Sequence, residues 1–178
     1  MADQVQASKS VRVVRSKDLI VERLGELGIS LPEAPQPLGA YLPVVESGST
    51  LYVSMQGPLK DGKSPWSGLL GREVSIEQGR DAARQCVLNS LAQIQRHQGG
   101  FQRIAAIARL DGYVACTEDF FAHPAVLDGA SDLIATLFGS QAGHARSVCG
   151  VRNLPGNVPV ALMLTIALRS RASRVRDQ

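Results

Sequence analysis

The chain has 178 residues, is 44% hydrophobic and 20% charged, and carries a formal charge of +3. These values fit one globular domain with short tails, and no run of about 18 apolar residues is present to span a membrane. Aromatic residues make up only 4%, too few for a base-stacking surface. Much of the positive excess sits in the final "RSRASRVRDQ", so the folded part is near neutral and nucleic acid is not an expected partner.

The three cysteines, Cys86, Cys116 and Cys149, are far apart and form no CxxC. That speaks against a disulfide framework and fits a reducing, cytoplasmic setting. His97, His123 and His144 form no HxH or HExxH pattern, so neither a metal nor a cofactor is expected. The N-terminus has no apolar signal region. The organisation expected is a flexible segment over 1–15, a domain over 16–169 and a basic tail over 170–178.

In chain order, "VRVVR" at 11–15 offers an edge strand. A short helix is expected over 16–28, capped by Ser16 or Asp18 and ended by Gly28. The segment 32–41 is proline-rich and extended. A hairpin follows, with strands near 41–46 and 50–56 around a Ser47–Gly48–Ser49 turn. Ser75 and Gln78 form a capping box that opens a long helix, with Ala83, Cys86, Val87, Ser90, Leu91 and Ile94 on one face. "QGG" at 98–100 stops it. Residues 103–116 alternate as a strand. A second amphipathic helix covers 123–139, and Glu118 and Asp119 stand where they can cap it. Two strands, "HARSVCGV" and "VPVALMLTIALR", finish the chain. The order predicts an α+β sandwich with helices on one sheet face. The last strand is apolar on both sides, which calls for cover over the other face, most simply by self-association.

Arg146 is costly in a half-buried strand unless it has a partner or a task. The ordered series "GAY" (39–41), "LYVSMQGPL" (51–59), "EQGRDAARQCVLNSLAQI" (77–94), "IARLDGYVACTEDF" (107–120), "ARS" (145–147) and "LP" (154–155) resembles the YjgF/RidA group, the reactive intermediate deaminases also labelled endoribonuclease L-PSP-like. The likeness runs from Leu38 to Arg169. Residues 16–36 and the "GASDLIATLFG" helix look like a longer subgroup. The resemblance implies a chorismate-mutase-like, two-layer fold and a homotrimer whose sheets line a central barrel, with a ligand pocket in each cleft between subunits.

Arg146 matches the group's signature arginine, which the resemblance makes the anchor of a substrate carboxylate. A guanidinium fork suits that task in any setting; the alternative is an ion pair across a subunit contact. His144, two residues earlier, can share its face and donate to an anion or transfer a proton, or simply face solvent. Tyr41 matches a pocket-rim tyrosine, with a ligand-bonding or a packing role. Trp66 is a lid or a loop anchor. Four positions depart from the group. Ala161 and Met163 stand where its deaminases carry two glutamates, the first of which positions water. Val148 replaces a frequent cysteine, and Met55 a glycine. Ordinary imine hydrolysis wants a nearby acid or base, so altered chemistry on a carboxylate-bearing reactive intermediate is expected. The alternative is a ligand-binding trimer that has lost catalysis. Ribonuclease activity ranks third.

Overall fold

The computed structural model describes residues 18–170; the 1–15 segment, the strand expected at 11–15, the Ser16 cap and nearly all of the basic tail lie outside it. The elements are α1 (Leu19–Glu26), β1 (Val44–Ser47), β2 (Thr50–Gln56), α2 (Ile76–Gln98), β3 (Ile104–Ala115), α3 (His123–Phe138), β4 (Ala145–Val151) and β5 (Val160–Leu168). They form one mixed sheet in the order β1-β2-β5-β3-β4. Among the strand pairs of the described residues, β3–β4 alone is parallel, and α3 makes the crossover that such a pair needs.

Local chemistry sets most boundaries. Asp18 caps α1 by accepting the Ile20 N–H, and its other oxygen accepts the Phe101 N–H at 2.7 Å. The capping box at α2 is complete: Ser75 Oγ accepts the Gln78 N–H, and Gln78 Oε1 accepts the Ser75 N–H. Gly99 ends that helix with φ 74°, a left-handed conformation that glycine adopts without a Cβ penalty. The start of α3 differs from expectation. Its N-cap is Ala122 with no side-chain cap. The Asp119 carboxylate is held below its ordinary range by a hydrogen bond with Thr117 and so turns back into its own loop.

One core lies between the helices and one sheet face. Val160, Leu162, Leu164, Ile166 and Leu168 of β5 are buried in it. By alternation the opposite, open face of β5 carries Ala161, Met163, Thr165 and Ala167. That face is therefore less apolar than the run of hydrophobic letters suggests. The α2 and α3 helices touch closely at Gly129, where a Cβ would overlap the Arg80 carbonyl oxygen. At Gly112 of β3 a Cβ would overlap the Leu127 side chain. Gly129 lets α3 close on α2, and Gly112 lets it sit low over the sheet.

Polar residues of α2 are also buried, among them Gln85, Asn89 and Gln93. Asn89 Nδ2 donates to the carbonyls of Gly57 and Leu59, and Gln93 Nε2 donates to that of Pro35. This row fixes the chain after β2 and the proline-rich segment to the helix. Trp66 packs against the core under the Lys60 ammonium, 5.5 Å from the ring, as a loop anchor.

Candidate functional site

The close seating of α3 brings its polar side toward β4, an edge strand. Arg146 Nη1 donates to Asp128 Oδ1 at 2.8 Å and to Ser131 Oγ at 3.1 Å. The pair is half-exposed, with the two side chains 27% and 44% accessible. The partner carboxylate thus belongs to the same chain, a pairing that the sequence reading did not include. Asp128 also lies 3.9 Å from Arg80 Nη1, and Arg80 is held by Asp132 at 2.7 Å. Among the described residues, Nε and Nη2 of Arg146 have no hydrogen-bond partner.

His144 joins this cluster. Its Nδ1 lies 2.6 Å from the Ala142 carbonyl oxygen, and its Nε2 lies 3.1 Å from Ser131 Oγ. A carbonyl only accepts, so Nδ1 carries a proton, and in the neutral ring Nε2 is the acceptor. Ser131 then donates to His144 while accepting from Arg146. The apolar periodicity of α3 gives Ser131 no distinction; only the α3–β4 packing reveals it.

Of the other expected site residues, one lies beside Arg146 and the rest do not. Val148 shares the helix-facing side of β4 with Arg146 and packs against the core. Ala161 is buried, but its register partner Tyr113 pairs in turn with Cys149, so it lies on the opposite sheet face from Arg146. Met55 is half-buried at a register shift in β2 between Val53 and Gln56. Strand β2 is three positions from β4, about 14 Å at ordinary strand spacing. Tyr41, just before β1 in the chain, stands at the rim of a cavity of about 440 Å³, and its hydroxyl accepts the Leu38 N–H at 3.2 Å. Within one chain, then, Arg146, His144 and Val148 share a face, and Tyr41, Met55 and Ala161 do not join them.

A second polar pair stands at the other end of the α3–β4 groove. Cys116 Sγ lies 3.3 Å from His123 Nε2, beside a cavity of about 450 Å³. Among the described residues no group of three or more His, Cys, Asp or Glu side chains can hold a metal ion, and no helix is long and apolar enough to cross a membrane.

A mixed five-stranded sheet with its helices on one face, and an arginine on the edge strand beside the covering helix, defines a small α+β sandwich of chorismate-mutase-like type. The chain belongs to the family described as "YjgF/chorismate_mutase-like, putative endoribonuclease", which matches residues 21–168. The match begins well before Leu38 and takes in most of α1. Protein TCP17 of Trypanosoma cruzi is 35% identical over 152 residues, covering 85% of this chain and 95% of that one. A 2-iminobutanoate/2-iminopropanoate deaminase of Dermatophagoides farinae is 29% identical over 136 residues, covering 75% and 90%. Among solved structures, a protein of unknown function from Agrobacterium tumefaciens superposes with a TM-score of 0.79 at 38% identity, covering 85% of this chain and 93% of that one.

Proposed function

We propose that this protein acts on a small, carboxylate-bearing reactive intermediate of the enamine or imine type, in clefts between the subunits of a homotrimer. The observation that carries this reading is the half-used guanidinium of Arg146. Asp128 and Ser131 take Nη1 alone, and the Nε–Nη2 edge is the fork that holds a carboxylate with two parallel hydrogen bonds. His144 Nε2, the acceptor position of the tautomer that the Nδ1 contact to Ala142 selects, serves as the proton-transfer group.

Ala161 supplies no carboxylate to position water, so hydrolysis of simple imines should be slow. The same residue favours a second reading, in which the trimer binds its ligand without transforming it. Both readings predict that Arg146→Lys, which keeps the charge and loses the fork, weakens binding of pyruvate or 2-oxobutanoate tenfold or more, on the order of 1.5–3 kcal/mol. Calorimetry on both proteins measures this, and light scattering should give three 19.0 kDa chains in each case. Unchanged affinity together with a dissociated assembly would make Arg146 an interface residue and overturn the reading. A release of keto acid from freshly generated imines that far outruns buffer would exclude the second reading.

A further inference from the structure

We propose that Cys116 and His123 form a second reactive centre, in which Cys116 adds to a small α,β-unsaturated carboxylate held by Arg152. The site stands at the start of α3 and the C-terminal end of β4, whereas Arg146 lies near the start of β4, and it does not depend on the role given to Arg146.

Four features build it. The Sγ–Nε2 separation of 3.3 Å is a thiol-to-imidazole hydrogen bond, given that sulfur is larger than oxygen. The imidazole is held by Phe120, whose ring meets it edge-on with centroids 5.4 Å apart. The backbone of β4 makes room: a Cβ on Gly150 would lie 2.5 Å from His123 Nε2 and 3.1 Å from Cys116 Sγ, so any other residue there would displace the pair. Finally, Cys116, His123 and Arg152 line one cavity with Phe121, an aromatic side chain left 81% exposed.

The charge of the cavity suits an anion at one point. Arg152 has no hydrogen-bond partner among the described residues. The α3 helix starts beside it uncapped and without an acidic residue in its first turn, so its N-terminal N–H groups add positive potential. The wall also holds Glu118, so any preference for an anion must vanish when Arg152 alone is changed.

Partial burial raises the Cys116 thiol above its ordinary range, and the sulfur rests protonated. His123 therefore acts as a general base during attack, and the pair is not a standing ion pair. Sγ forms a bond to the β-carbon as the thiol proton passes to Nε2. The C=C π pair moves to the α-carbon, which then takes that proton back from the imidazolium. No oxidant or leaving group is needed.

The probes are monomethyl fumarate, an anion, and dimethyl fumarate, which is neutral. Adducts on the full chain are quantified for each cysteine by peptide mass spectrometry. Added glutathione is the reference thiol, since Cys149 lies on the face that the proposed trimer covers and Cys86 is buried. The ratio of Cys116 to glutathione labelling should be about tenfold higher with the anionic probe, as expected for one charged hydrogen bond. Arg152→Gln should abolish that excess. His123→Gln should slow Cys116 about tenfold with both probes and leave glutathione unchanged. Equal ratios for the two probes, an excess that survives Arg152→Gln, or a Cys116 rate indifferent to His123→Gln would each overturn the proposal. If His123→Gln fails to fold, the probe ratio and the surface variant Arg152→Gln still decide.

Discussion

Replacing Asp128 by Asn tests how Arg146 is used. Asn keeps the size and the Oδ1 acceptor and removes the charge that lies 2.8 Å from Nη1. If the pair is only a resting partner, its loss has two calculable effects. With side chains 27% and 44% exposed, water screens the pair, and such pairs contribute about 0.2–1 kcal/mol. Stability should therefore fall by no more than about 1 kcal/mol. A bound carboxylate, however, gains what the competing carboxylate no longer takes away, so pyruvate affinity should rise, at most about fivefold for 1 kcal/mol. The gain should be larger at low ionic strength, where the Debye length exceeds the separations involved. Calorimetry at two salt concentrations measures both points, with urea unfolding as the stability control. Binding weakened by Asp128→Asn as severely as by Arg146→Lys would show that Asp128 positions the guanidinium, and the resting-partner reasoning would fail.

Two further predictions concern the scaffold. Gly129→Ala gains about 1 kcal/mol in helix propensity, but its Cβ would lie 2.7 Å from the Arg80 carbonyl carbon, a backbone atom that cannot swing aside. Overpacking costs about 1–3 kcal/mol, and so a lower urea midpoint is expected; a more stable variant would refute the tight α2–α3 contact. Cys86 is fully buried and its thiol is pushed well above the ordinary cysteine range by desolvation. The folded state thus keeps a proton that the unfolded chain loses. Stability is full below the ordinary cysteine range and falls above it, by up to about 1.4 kcal/mol per pH unit. Cys86→Ala should flatten that alkaline slope in urea titrations, and an unchanged slope would place the loss elsewhere.

The periodic elements were legible because burial in them follows the period. Ala83, Cys86, Val87, Leu91 and Ile94 all lie in the core, and both expected hairpin strands formed. The row Gln85, Asn89 and Gln93 was not legible. It lies at helical spacing on a polar side, which usually means solvent, and its burial depends on carbonyls of two loops that no local pattern announces. Arg146 was visible as an arginine out of place in a strand, and the "ARS" motif gave it a family. Its partner Asp128 was not, since the pairing depends on how low α3 sits. That in turn depends on Gly112 and Gly129, two glycines that read as weak spots in a strand and a helix. Cys116 and His123 stand seven residues apart in no recognisable motif; their meeting requires the turn after β3 and the absence of a side chain at Gly150.

The placement of Ala161 carries the last step. In one chain it shares no sheet face with Arg146, so a site using both positions must draw them from different copies. The edge position of β4 lets Arg146 reach a neighbour, while Ala161, at the β3–β5 centre, reaches one only across the open face. Covering that face is affordable only if its charges are already matched. Arg109 Nε donates to both oxygens of Asp111 at 2.8 Å, and its Nη2 donates to Ser147 at 3.1 Å. Around this matched pair stand Met163, Thr165 and the exposed apolar surfaces of Val45 and Tyr52. Such a face can be buried by another copy without leaving a lone charge behind. The proposed trimer and the proposed cleft are therefore linked: a protein that stayed monomeric would keep Arg146 as a surface ion pair and give Ala161 no part in any ligand site.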